Sequence, residues 1–498
     1  MPTTVAAFWD LVEESAQWRP AAVMLSDDHG RSLTTVAFRT EAERVAAGLH
    51  ARGVTTGDVV SWQLPTTLEA AVLMAACARL GAVQNPIIPN FRAREVTFIV
   101  DQVRSRLVVI PEAWNGFDHG DMARTLGRDV LPVALDGPPG AAIRLPGDIT
   151  DPLPAPSGPS TACRWIYYSS GTTAEPKGAR HTDRSALAAS NGVVDQLGLR
   201  ADDVYPIAWP IAHIGGVAML GAALRTGARL VLFDTFDPPT TPDRMAAHRP
   251  TILGSATPFF QAYVAAQRRH GDRPLFPELR ACVGGGAPTP EAINQQVADV
   301  LGVPGVAGSW GLTEFPVATS ETPADDGVGC SVGRPAHGVE VRVVGGELRL
   351  NGPQKFLGYV DASLDAEAFD DDGWVRTGDL GVVDGDGRVR ISGRRKDVIL
   401  RNAENISASE VEEVVLRCPG VADAAVIGVP DARTGERVRA VVVTVPGIDV
   451  SLADVVEHCR RAGLARYKWP EDFRLADAIP RNAMGKVVKR ELTADGGR

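Results

Sequence analysis

The sequence predicts an α/β protein in two unequal parts. A large N-terminal domain of β-sheets flanked by helices ends in a β-barrel-like part, and a small α+β domain follows. Three observations carry this. At 498 residues the chain exceeds the roughly 250–300 residues that one core sustains. Over the first two-thirds, near-continuous apolar runs alternate with helical patterns, as in buried sheets covered by helices. After residue 340 the texture changes to short β-like segments with Asp-Gly turns at Asp372–Gly373, Asp384–Gly385 and Asp386–Gly387.

In chain order, strands are expected at 58–64, 106–110, 163–168, 228–233, 250–255 and 279–283. Helices are expected at 68–80, 184–197 and 290–300. The Pro- and Ser-rich stretch 152–160 is a loop ahead of the 163–168 strand, and 321–329 is a second polar loop. The last hundred residues hold strands near 424–429 and 437–445 and a helix near 452–461.

Composition narrows the function. With 51 basic against 61 acidic side chains the net charge is −10, which opposes non-specific nucleic-acid binding. The N-terminus lacks a basic region followed by an apolar one, so no secretory signal is expected. The longest helical apolar stretch, 70–83, is too short to span a bilayer and contains Arg79. Cys77, Cys163, Cys282, Cys330, Cys418 and Cys459 form no C-x-x-C pair, as suits reduced thiols of a cytoplasmic enzyme.

After the strand ending at Tyr168 comes Ser169-Ser170-Gly171-Thr172-Thr173-Ala174-Glu175-Pro176-Lys177-Gly178. Hydroxyls, glycines and a lysine behind a buried strand suit a polyphosphate: backbone N–H groups and hydroxyls donate to its oxygens, and the lysine adds a point charge. The run is not a G-x-x-x-x-G-K-[ST] loop, because no Ser or Thr follows Lys177.

Further motifs follow in order: Gly285-Gly286-Ala287-Pro288, Trp310-Gly311-Leu312-Thr313-Glu314, Thr377-Gly378-Asp379, Gly393-Arg394-Arg395-Lys396-Asp397 and Pro480-Arg481-Asn482-Ala483-Met484-Gly485-Lys486. Together with the phosphate loop they resemble, collinearly over more than 300 residues, the signatures of the adenylate-forming superfamily, which includes acyl-CoA synthetases, adenylation domains and luciferases.

The resemblance implies activation of a carboxylate by ATP to an acyl-adenylate, and displacement of AMP by a thiol. It implies a boundary at 394/395, a hinge near Lys396 and a mobile small domain. Lys486 would bridge carboxylate and α-phosphate, Glu314 would hold Mg²⁺, and Thr172, Thr173 and Thr313 would donate to phosphate oxygens. Gly285, Gly286, Ala287 and Pro288 would contact adenine, and Asp379 the ribose, with Arg394 nearby. Trp310, in place of the family's tyrosine, either stacks on adenine or is a core tryptophan.

His213, Ile214, Gly215 and Gly216 would border the acyl pocket with Gly285, Trp310 and Gly311. Amino-acid-activating relatives carry aspartate at the position of Ile214. An apolar residue cannot compensate a buried ammonium, so the acid expected lacks an α-amino group. The small residues that follow, Ala218, Ala222 and Ala223, either make room for a bulky alicyclic acid or serve helix packing.

Two alanines depart from the family's glycines. Ala174 adds a Cβ in the phosphate loop, where only ATP has β- and γ-phosphates to obstruct. Adenylation is then weakened while a supplied acyl-adenylate is still thioesterified, or the loop relaxes around the methyl. Ala403, in Asn402-Ala403-Glu404-Asn405, falls where the family lines its CoA path. The expected activity is that of an AMP-forming acyl-CoA ligase using ATP or preformed acyl-AMP, Mg²⁺ and coenzyme A. A partner adenylating enzyme is one alternative supplier, and a carrier protein's phosphopantetheine is an alternative acceptor.

Overall fold

The computed structural model describes residues 7–135, 142–169, 176–286, 289–325, 327–401, 404–431, 433–482 and 485–493. The expected apolar runs form strands Val59–Trp62, Leu107–Pro111, Trp165–Ser169, Arg229–Leu232, Ile252–Ser255 and Ala281–Gly285. The helical patterns form Leu68–Leu80, Asp183–Leu197 and Glu291–Leu301. Helix Leu68–Leu80 shows why the boundaries were readable. Thr67 caps its first turn by accepting from Ala70 N–H, and Gly81 ends it at φ 68°. Its lack of a polar face reflects burial on every side.

Three sheets build the large domain's core. One has six strands in the order Lys177–His181, Trp165–Ser169, Val83–Pro86, Val59–Trp62, Leu107–Pro111, Val130–Val133. It is parallel except for the Lys177–His181 edge. A second runs Ile252–Ser255, Ala281–Gly285, Val306–Leu312, Phe315–Ser320, Arg334–Pro335. A third joins Val204–Ile207, Arg229–Leu232, Val23–Asp27 and Ser32–Thr34. The barrel-like part is an antiparallel sheet of Glu340–Val344, Glu347–Asn351, Val375–Val383 and Val389–Arg394. Its apolar face shares a core with Trp310, Phe315 and Ala318 of the second sheet. In the small domain, strands Glu404–Ser407, Val398–Arg401, Gly435–Thr444 and Val421–Asp431 form a sheet, with Asp472–Leu475 added on Gly435–Thr444.

The polar loop that begins at Glu321 is anchored rather than free. The buried Glu321 carboxylate accepts from Gly308 N–H (2.9 Å), Gly329 N–H (2.7 Å), Ser331 N–H (3.0 Å) and the Ser331 hydroxyl (2.7 Å). Among the described residues no helix is long and apolar enough to cross a membrane.

Of the two roles open to the small residues of helix Ile214–Thr226, the structure supports packing. Ala218, Ala222 and Ala223 are fully buried in the main core. A Cβ on Gly221 would come within 2.3 Å of Ser190 Oγ on helix Asp183–Leu197. A Cβ on Gly216 would lie 1.9 Å from the Ile211 carbonyl oxygen, in the turn that presents His213. Backbone cannot swing aside as a side-chain tip can. Gly216→Ala is therefore expected to lower unfolding free energy by about 1–3 kcal/mol in urea titrations, as overpacking does; a change within error would show that the turn has slack.

Candidate active site

Glu314 owes its place to a tight hairpin. Strand Val306–Leu312 pairs with Phe315–Ser320 through Leu312 and Phe315, leaving Thr313 and Glu314 as the two turn residues. Gly311 makes the turn possible, since a Cβ there would stand 2.6 Å from Val317 N. Two side chains clamp the turn. His181 Nε2 donates to the Thr313 carbonyl at 2.8 Å, and the Tyr359 hydroxyl donates to Glu314 Oε1 at 2.6 Å. A carbonyl only accepts, so Nε2 carries a proton, while Nδ1 faces the Ser185 hydroxyl at 3.0 Å. Burial lowers the ring's pKa to about 4, which keeps it neutral near pH 7. Neither clamp is announced by a sequence motif. Neither stands out by residue type, because each acts through a fold contact rather than a motif.

The phosphate loop joins two antiparallel strands, unlike a strand-to-helix P-loop. Lys177, placed in the loop by the sequence, is instead the first residue of the returning strand, opposite Ser169. Its Nζ sits 5.7 Å from the centroid of the Tyr359 ring. The positions between them, including Ser170, Gly171, Thr172, Thr173 and Ala174, lie outside the described residues. Gly285 ends its strand opposite Ser309, and Gly286 turns with φ 79°. Ala287 and Pro288 fall outside the described residues.

Asp379 joins two sheets. Gly378, at φ 69°, sits at a bulge in strand Val375–Val383 and turns Asp379 inward opposite Arg394. Asp379 Oδ1 accepts from Arg394 Nε at 2.6 Å and Oδ2 from Trp310 Nε1 at 2.8 Å. The Trp310 ring itself is only 6% exposed, so it is built into the core and offers its N–H rather than an open face.

From the small domain, Lys486 enters the same cleft. Arg395–Asp397 forms one short helical turn between the last large-domain strand and Val398–Arg401, with Lys396 at its middle. The chain around Lys486 is a hairpin: Lys486 N–H donates to Asn482 Oδ1 (3.0 Å), and Arg481 donates to the Gly485 carbonyl (2.9 Å) and to Asp423 (2.8 Å). Gly485, at φ 76°, allows a close seat, because a Cβ there would lie 3.0 Å from Ala256 Cβ of the large domain. Lys486 Cε reaches to within 3.7 Å of the space above Gly286. An ion pair between Glu291 and Arg417 also links the domains.

Burial lowers the Lys486 pKa to about 8; Arg394 adds to the fall and Asp379 and Glu314 resist it. Burial and then Arg394 likewise lower Lys396. His213 caps helix Ile214–Thr226, and burial followed by Lys486 lowers its pKa to about 4. Ile214 is buried beside it, and the space above Gly215 faces the Trp209 ring at 3.4 Å. The structure thus gathers Lys486, His213, Glu314, Asp379 and Arg394 with Lys396. Glu404 and Asn405 are exposed on their strand, with no hydrogen bond to these groups among the described residues, and Asn402 and Ala403 lie outside them. Lys177, Arg394, Lys396 and Lys486 stand here against Asp379, Asp397 and Glu314, and Asp379 and Glu314 already accept hydrogen bonds, so the excess positive charge suits an anion.

The model of the AMP-binding enzyme family matches residues 12–360, and that of the AMP-binding enzyme C-terminal domain matches residues 410–486. A 3-(7a-methyl-1,5-dioxo-octahydro-1H-inden-4-yl)propanoyl:CoA ligase of Mycobacterium tuberculosis is 34% identical, over 93% of this chain and 94% of its own. The medium-chain fatty-acid–CoA ligase of Escherichia coli is 30% identical, over 99% of this chain and 90% of its own. The ATP-bound crystal structure of MatB from Rhodopseudomonas palustris superposes with a TM-score of 0.84 at 28% identity, covering 98% of each chain.

The cation cluster sets a measurable expectation. Competitive amine labelling of Lys486 should show a midpoint near pH 8. Arg394→Gln removes a positive neighbour and unpairs Asp379, and both changes favour the ammonium form, so the midpoint should rise. An unchanged midpoint would mean that Lys486 does not reside in the cleft.

Proposed function

The chain belongs to the AMP-binding enzyme family, and from that premise we propose that it is an AMP-forming acyl-CoA ligase for an apolar acid lacking an α-amino group. The observation that carries this is the seating of Lys486, from the small domain, beside Glu314, Asp379 and Arg394 of the large one. A carboxylate and a triphosphate repel each other, and their meeting needs positive charge at the reacting phosphorus. Lys486 supplies it at the end of a mobile arm. The large domain ends at residue 394, and Lys396 is the pivot that carries the arm in and out.

The remaining roles follow from the family's motifs. Lys177 and the hydroxyls of the loop before it bind the β- and γ-phosphates. Asp379, oriented by Arg394 and Trp310, accepts from the ribose. Gly285, Gly286 and the two residues after them take the adenine. Glu314 offers Oε2, which no described residue engages, as a hard oxygen ligand for Mg²⁺. That ion, when bound, neutralises phosphate charge; Tyr359 fixes the carboxylate that holds it.

Ile214 at the start of the capped helix supports an acid without an ammonium group, since no carboxylate stands there to pair one. The bicyclic acid in the name of the mycobacterial relative supports a bulky alicyclic substrate. The acyl group enters beside His213 and Gly215, over Trp209.

Incubating the protein with ATP, Mg²⁺, CoA and a panel of apolar, alicyclic and α-amino acids, with mass-spectrometric detection, should give AMP and thioester from the apolar acids alone. Preference for amino acids, or no thioester from any acid, would overturn the proposal, whereas acyl transfer only to a phosphopantetheinyl carrier protein would change the acceptor. Supplying synthetic acyl-adenylates separates the two steps. Ala174→Gly should speed adenylation several-fold and leave thioester formation from the adenylate unchanged; an equal effect on both steps, or none, would show that the methyl is harmless.

A further inference from the structure

His213 occupies the N-cap of helix Ile214–Thr226, with φ −73° and ψ 153°. Its Nδ1 accepts from the Gly215 N–H at 3.2 Å. That contact fixes the tautomer. A ring nitrogen that accepts carries no proton, so the neutral imidazole holds its proton on Nε2. Protonating Nδ1 would set an N–H against an N–H and place a cation on the positive end of the helix. Lys486 is the charged group that bears on the ring, and it too opposes an imidazolium. Trp209, which with the ring flanks the space above Gly215, brings no charge. Among the described residues, nothing accepts from Nε2–H.

A group in this state cannot be a base at either nitrogen: Nδ1 is committed to the helix and Nε2 already bears its hydrogen. It can donate. Resting on the ligase activity proposed above, we infer that His213 is a catalytic hydrogen-bond donor that offers its Nε2–H to the acyl carbonyl oxygen during thioester formation, and that it does not deprotonate the thiol. The thiol, ionised in part by solvent as an alkyl thiol is above neutrality, gives its proton to water. The sulfur then bonds to the acyl carbon, negative charge builds on the carbonyl oxygen against Nε2–H, and the acyl C–O bond to phosphate breaks, with AMP leaving with the electron pair. A neutral imidazole held by a helix N-terminus suits this task because it polarises the oxygen without surrendering a proton. The need is greatest in the second step, when the small domain has carried Lys486 out of the cleft and His213 remains.

Two measurements on the full-length protein test this. In long-range ¹H–¹⁵N spectra of ¹⁵N-histidine protein, the His213 signal, identified by its loss in His213→Asn, should show the Nε2–H tautomer and no titration from pH 5.5 to 8. The Nδ1–H tautomer, or a titration in that range, would overturn the assignment. Kinetically, His213→Asp keeps an N-cap oxygen but loses the donor, whereas His213→Asn keeps both an oxygen and an N–H. With a preformed acyl-adenylate and CoA, His213→Asp should lose about 10²-fold in kcat. His213→Asn should retain more activity, and its pH profile should match that of the wild type in shape. Activity of His213→Asp within threefold of wild type would overturn the donor role, as would an ascending limb in the wild-type profile below pH 7 that His213→Asn abolishes. A wild-type protein inert toward every adenylate would instead sink the ligase proposal, while the spectra would still decide the tautomer.

Discussion

The cleft depends on the division of one carboxylate between two sheets. Asp379 grows from the antiparallel sheet that leads into the hinge, while Trp310 belongs to the strand that ends at the Thr313–Glu314 turn. With Trp310 Nε1 on one oxygen and Arg394 Nε on the other, Asp379 cannot move without disturbing both. Such a buried charge, partnered on both oxygens, is costly to leave half-paired, which makes it a strong constraint on geometry. The short turn Arg395–Asp397 begins beside Arg394, so the small domain is joined to the large one next to the group that aligns its sheets.

The second constraint is electrostatic. Arg394, Lys396 and Lys486 share a partly enclosed space: Arg394 depresses the proton affinity of both lysines, and Lys396 that of Lys486. The arrangement is unfavourable without an anion and becomes favourable with one, as expected of a site that binds a polyphosphate. Tyr359 and His181 add rigidity at the opposite wall, holding a two-residue turn from two directions.

Much of this was legible in the sequence, for physical reasons. The apolar runs that became central strands are buried on both faces, so they carry no polar interruptions to confuse their limits. Motif residues such as Glu314, Asp379 and Lys486 were identifiable because their chemistry demands one residue type at a fixed place in a turn or strand. The clamps were not. His181 and Tyr359 act through partners 132 and 45 residues away, a separation that no local pattern encodes. Lys177 was misplaced by one structural element because an antiparallel edge strand of five residues looks like loop when glycine and charge interrupt it. The small residues after His213 were ambiguous in principle: the same alanines and glycines build a pocket or a close helix contact, and only the facing Ser190 decides it.

Gly485 gives the closed arrangement an unusual sensitivity. The small domain seats its lysine hairpin against Ala256 with only a hydrogen atom where any other residue would place a carbon. How closely the two domains meet therefore depends in part on a contact that involves no charge, no substrate and no reacting atom. A single methyl at this point would act as a doorstop, holding the lysine hairpin off Ala256 without touching any charged group of the cleft. In such an enzyme turnover can be tuned, by drift or by design, through the fit of one backbone edge against another, leaving the catalytic groups untouched.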